Sequence, residues 1–197
     1  MLRRLARAVA LAGAAVAVGV AVSGGRGREL DEDAFRAVNR GHGPRADRFF
    51  AAVTELGSWW AAFAAATALA GSGRRREAGR ALAAASGTWL AGQGLKRLFL
   101  RARPYEVDPS GTRLLIGRPK ATSWPSSHPA VLVTFLSVAG RELGLGDLPR
   151  ATLGALAAAV GTSRVYLGVH YPADVVGGIL MGRAVAAAFP DEGGPRR

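Results

Sequence analysis

A chain of 197 residues is about one domain's worth of sequence, and 49% of it is hydrophobic, enough for a sizeable core or several passes through a bilayer. Much of that fraction is alanine, so the mean hydropathy is only +0.15. Cysteine is absent, which removes disulfides, thiolate nucleophiles and cysteine metal sites, and three histidines (42, 128 and 170) are too few for a two-metal hydrolase. The formal charge of +12 is almost all arginine, with lysine only at Lys96 and Lys120. These charges come in bursts between apolar runs and not along one helical face, which fits loops and bilayer interfaces and argues against a nucleic-acid partner.

Residues 1–22 open with three arginines and continue as an apolar, helix-compatible run. This stretch reads as a first transmembrane span, or an uncleaved signal anchor, at the minimum length for crossing. Residues 23–57 are polar and Gly-rich at first, with Leu30, Ala34, Phe35 and Val38 at helical spacing; the expectation is a short amphipathic helix at the membrane interface. From Phe49 the chain turns apolar again, interrupted by Glu55 and Gly57. A second span is expected over about 58–70, then a basic loop containing Arg74, Arg75 and Arg76. Further apolar helices are expected over 81–100, 128–143, 151–167 and 175–189, so that 58–190 forms the main helical domain and 191–197 a basic tail. The long polar connection 101–125 is of a kind uncommon without a function.

The overall expectation is an all-α, six-span bundle in the cell membrane. The basic N-terminus, the triple-arginine loop and the basic tail share the cytoplasmic side. Alternation then places 101–125 and 163–174 together on the outer face. Trp59, Trp60, Trp89 and Trp124 read as interface anchors, and His42 as an interface residue. Arg101, Arg103, Arg118 and Lys120 load the outer connection with positive charge, against the usual bias unless they meet an anion.

The stretch Ser163–Asp174 carries the strongest chemistry. His170 and Asp174 are one helical turn apart, so the carboxylate can hold one ring nitrogen and leave the other free to attack. Arg164 adds a forked cation suited to a phosphoryl oxygen. Two further pieces are expected on the same face: Lys96 with Arg103-Pro104, and Ser123-Trp124-Pro125-Ser126-Ser127-His128. Taken singly, each has a plainer explanation. Lys96 and Arg103 fit snorkelling cations at a helix end, Pro125-Ser126 a capping turn, and Ser163 a helix serine that packs or back-bonds.

Together and in this order, the three pieces resemble the signature motifs of the type 2 phosphatidic acid phosphatase superfamily, which also contains bacterial acid phosphatases and vanadium haloperoxidases. The departure is Ser127, where the family has glycine. The resemblance implies a metal-independent lipid phosphatase with no cofactor, acting on polyprenyl diphosphate, phosphatidate or phosphatidylglycerophosphate. It also implies that His170 is the nucleophile forming a phosphohistidine, Asp174 its orienter and His128 the acid and then base. Lys96, Arg103, Ser126, Ser127 and Arg164 are implied to bind phosphate. Arg113, Arg118 and Lys120 are extra outer-loop cations that would favour a diphosphate. Pro129 is expected to bias His128 away from helical geometry. Phosphotransfer to a lipid or sugar hydroxyl, vanadate-dependent halide oxidation and a non-catalytic membrane scaffold stand as alternatives.

Overall fold

The computed structural model describes residues 1–190, among which every regular element is helical; the expected basic tail 191–197 lies outside the described residues. In chain order the helices are α1 (Leu2–Ala21), α2 (Gly25–Asn39), α3 (Pro44–Glu55), α4 (Trp59–Gly71), α5 (Arg75–Phe99), α6 (Pro104–Val107), α7 (Ser127–Glu142), α8 (Asp147–Tyr166) and α9 (Pro172–Ala188). All six expected apolar helices are present, as α1, α4, α5, α7, α8 and α9.

α7 is the central helix, packed against α5, α8 and α9, while α1 lies along α9 and α4 along α5. The core between α4, α5 and α7 is built on alanines such as Ala66, Ala81 and Ala85 set against Val131, Phe135 and Val138. Small residues let the backbones approach closely. At Gly182 of α9 an added Cβ would sit 2.5 Å from the Ala130 carbonyl oxygen of α7. A hydroxyl clasp crosses the same level, with Thr88 and Thr134 joined at 2.9 Å and Thr134 donating to the Gly182 carbonyl at 3.1 Å.

Apolarity and length alone do not return six crossings. Among the described residues α1 passes that test by itself, and α3 with α4 passes as one unit bent by 61°. The 13 residues of α4 span only about 20 Å, against a hydrocarbon core of about 30 Å. α5 carries Lys96 and Arg97 in its last turn and α7 carries Arg141 in its own, which lowers their hydropathy. At one end of the bundle Arg4 donates to the Phe189 carbonyl and Arg80, one turn past the triple arginine, to that of Pro190. Lys96, Arg103, His128, Arg164 and His170 lie together at the other end.

Three local expectations change. In α2 the face turned inward is Asp31, Phe35 and Asn39, while Leu30 and Ala34 point away from the bundle. Asn39 accounts for this by clasping the Arg113 N–H and the Tyr166 carbonyl, each at 2.8 Å. Trp124 is not an interface anchor but is fully buried, 4.0 Å from the Phe99 ring in a slot left by Gly19 and Gly177. Pro129 does not displace His128 from helical geometry. Both sit in the first turn of α7, where the missing N–H is no loss and there is no earlier helical carbonyl for the ring to strike. His42 stacks on Tyr166, with ring centroids 5.7 Å apart.

Because the α7–α9 contact at Gly182 is with backbone, it cannot relax by turning a side chain. Gly182→Ala is expected to lower the thermal midpoint in detergent, at a cost of about 1–3 kcal/mol. Gly79→Ala, in α5 with open space at its Cβ, is expected to be neutral or stabilising. The reverse order of the two midpoints would refute this packing.

Candidate active site

The link between α8 and α9 positions a buried imidazole. Tyr171-Pro172-Ala173-Asp174 is a helix start: Pro172 occupies the first turn, and Asp174 reaches back to accept the Tyr171 N–H at 2.8 Å. That bond pins the carboxylate, with Oδ2 3.4 Å from His170 Nδ1. Ser123 donates to the same Oδ2 at 2.5 Å and lies 3.5 Å from Nδ1.

The other ring nitrogen faces a cation. Arg103 Nη1 is 3.2 Å from His170 Nε2, and a guanidinium can only donate. Nε2 therefore carries a lone pair, and the ring proton is on Nδ1, toward Asp174. Burial holds the His170 imidazole well below its ordinary value near 6.5, with the Asp174 hydrogen bond opposing that effect. At neutral pH it is an uncharged imidazole with the Nε2 lone pair held facing Arg103.

The three motif cations are held mainly by backbone carbonyls. Arg103 donates to Ala121 and Val169, both at 2.7 Å, and to Thr122 at 3.3 Å. Lys96, in the last turn of α5, donates to Thr122 and Ser123 at 2.8 and 3.1 Å. Arg164, in the last turn of α8, donates to the Thr54 hydroxyl of α3 at 2.7 Å, while its Nε is buried without a partner. Neutral carbonyl and hydroxyl oxygens orient these cations without neutralising them, so their charge remains available to an anion.

Lys96, Arg103, Ser127, His128, Arg164 and His170 all line one cavity of about 730 Å³. No carboxylate lines it among the described residues. Its outward flank is aromatic and aliphatic, with Trp59, Trp60, Trp89 and Leu90; Trp60 is 73% exposed and Leu90 62%. The His128 imidazole lines the cavity and makes no hydrogen bond to the described residues. The Ser127 hydroxyl is buried without a partner, and Gly92 of α5 leaves room opposite, since a Cβ there would come to 3.6 Å from it.

Asp174 stands behind His170 and not in the cavity wall. Ser126 does not line the cavity either: its hydroxyl is buried and unpartnered, and its N–H goes to the Asp174 carbonyl at 2.9 Å. Ser163 back-bonds to Val160 at 2.6 Å. Of the extra cations in the 101–125 connection, Arg113 is taken by Asp47 at 2.5 Å and Arg118 lies over the Tyr105 ring, while Lys120 lines the cavity. Sequence reasoning gave no role to Ser123, although its place at the head of the Trp-Pro-Ser-Ser-His run was a usable signal. It also assigned no site role to Arg101, which bonds Asp174 from behind, or to Asp31, which pairs with Arg101.

A family model described as the PAP2 superfamily matches residues 77–191. Over 141 residues the chain is 34% identical to the decaprenylphosphoryl-5-phosphoribose phosphatase of Mycobacterium tuberculosis, covering 70% of this chain and 73% of that protein. Over 96 residues it is 34% identical to an undecaprenyl-diphosphatase of Sulfolobus acidocaldarius, covering 46% of this chain and 43% of that one. Among solved structures it matches, with a TM-score of 0.80, a transmembrane PAP2 type phosphatidylglycerolphosphate phosphatase from Bacillus subtilis. That match covers 91% of this chain and 92% of the other at 23% identity, a likeness of fold.

In a ¹⁵N-histidine NMR titration of the protein in detergent, His170 is expected to stay neutral, with its proton on Nδ1, as the pH falls through 6.5. A midpoint at or above 6.5, or a proton on Nε2, would contradict the geometry above.

Proposed function

We propose that this chain, which belongs to the PAP2 superfamily and is a phosphoric ester hydrolase, removes phosphate from a prenyl-linked phosphate or diphosphate through a phosphohistidine on His170. The observation that carries the reading is the Nε2 lone pair of His170. It is held by Arg103 at the wall of a cavity with cations but no carboxylate, beside an apolar flank. The two relatives are named for decaprenyl- and undecaprenyl-linked substrates, and the flank of Trp59, Trp60, Trp89 and Leu90 suits such a chain.

In the first step His170 Nε2 attacks phosphorus and the bond to the leaving oxygen breaks, with His128 giving that oxygen its proton. The ring, now bonded to phosphorus at Nε2 and protonated at Nδ1, is cationic and faces Asp174. In the second step His128 takes a proton from water, the hydroxide oxygen bonds to phosphorus, and the N–P bond breaks to release phosphate. Charge on the transferring group is spread over its equatorial oxygens, where Lys96, Arg103 and Arg164 are preorganised to meet it. The Ser127 hydroxyl is a further donor in this reading. Ser126 contributes by fixing the turn, through its N–H bond to the Asp174 carbonyl. A divalent metal is not part of the scheme, because this wall presents cations where a metal needs anionic oxygen or neutral nitrogen donors.

We place the protein in the cell membrane with six crossings, α3 and α4 making one bent span, both termini cytoplasmic and the catalytic end outward. The support is the gathering of Arg4 and Arg80 at one end and the motif residues at the other.

The test is phosphate release from a panel of prenyl and glycerolipid phosphates, with EDTA present. Release is expected to survive EDTA, to be undetectable in His170→Ala, and to slow about 10²–10⁴-fold in His128→Ala. Loss of release in EDTA, or release retained by His170→Ala, would overturn the scheme.

A further inference from the structure

Arg101 lies two residues before Arg103, yet it faces the opposite way. It does not line the catalytic cavity; its guanidinium lies behind the dyad, 4.3 Å above the Tyr171 ring. Its Nη1 donates to Asp174 Oδ1 and its Nη2 to Asp31 Oδ2, both at 2.7 Å. Asp31, on α2, accepts the Ala173 N–H at 2.8 Å through its other oxygen. All three side chains are buried or nearly so, at 0% exposure for Asp174, 6% for Asp31 and 12% for Arg101.

We propose that Arg101 and Asp31 are positioning residues for the phosphoryl transfer, acting through Asp174; the inference rests on the phosphohistidine reading above. The two oxygens of Asp174 divide the work. Oδ2 meets His170, Ser123 and the Tyr171 N–H, while Oδ1 is held by Arg101. With Oδ1 unpaired in this buried place, the carboxylate would turn or take up a proton, and Oδ2 would leave Nδ1.

Charge explains why a second carboxylate is present. Arg101 alone would cancel Asp174 and leave nothing to stabilise the cationic ring that forms when Nε2 bonds to phosphorus. Asp31 restores the balance, so that Asp31, Arg101 and Asp174 together present one net negative charge to His170. The pair also ties α2 to the start of α9 across 142 residues of sequence. On this account the N-terminal amphipathic helix belongs to the catalytic apparatus.

The experiment uses the full chain in detergent with a prenyl phosphate substrate, comparing Asp31→Asn, Arg101→Gln and Arg101→Lys with His170→Ala alongside. Expected is a fall in kcat of about 10–100-fold in Asp31→Asn and Arg101→Gln, the size of effect that outer hydrogen-bond partners have on metal-bound histidines. KM and the inhibition constant of inorganic phosphate should stay within about twofold of wild type, because neither residue meets the cavity. Arg101→Lys, which keeps the cation, should recover part of the loss. Unchanged kcat in Asp31→Asn beside an inactive His170→Ala would overturn this inference alone. So would a loss of phosphate inhibition in step with kcat, the signature of a collapsed or directly binding site. Activity surviving in His170→Ala would sink the phosphohistidine reading, and this inference with it.

Discussion

Everything at the cavity end of the bundle depends on keeping one carboxylate charged with no exposure to solvent. Asp174 is 0% exposed, and an unpaired ion in such a place would cost several kcal/mol. The chain meets that cost with four donors: His170 and the Tyr171 N–H just before α9, and Arg101 and Ser123 from the two ends of the connection between α5 and α7. Each donor also fixes the part of the chain it comes from. Satisfying this one group therefore assembles the ends of α5, α7, α8 and α9 around a single imidazole.

The connection 101–126 is the second half of the same construction. Its carbonyls at Ala121, Thr122 and Ser123 hold Arg103 and Lys96, while the Thr122 hydroxyl returns a bond to the Lys96 carbonyl at 2.7 Å. Like charges brought this close repel one another, and neutral carbonyls do not cancel them. The arrangement leaves uncancelled positive charge at the cavity wall, which a multiply charged anion entering the cavity would relieve. Thr54 of α3 does for Arg164 what the connection does for the other two.

Much of this was legible in the sequence, because helices and motifs repeat at short range. The expected helices over 128–143 and 175–189 lie within a few residues of α7 and α9. The His170–Asp174 spacing did put the carboxylate within reach of the imidazole, although His170 precedes the α9 N-cap and shares no helical turn with Asp174, and Lys96, Arg103, His128 and Arg164 line one cavity. What was not legible is partner choice over long range. Nothing local marks Asp31 as the partner of Arg101, 70 residues away, or shows that Asn39 will bury the polar side of α2 while Leu30 faces outward. Trp124 was misjudged for the same reason, since its slot is cut by glycines on α1 and α9, far off in sequence. Ser126 and Ser127 are adjacent and alike, and only the fold separates one in the cavity wall from one behind it.

The central claim is that the phosphoryl group passes through His170. The most direct measurement is to quench the protein in alkali during turnover of a substrate ³²P-labelled in its transferable phosphoryl group, then map the label by digestion. The account predicts an alkali-stable, acid-labile label on His170 that is absent from His170→Ala. Turnover without any covalent label, or a label on another residue, would contradict it.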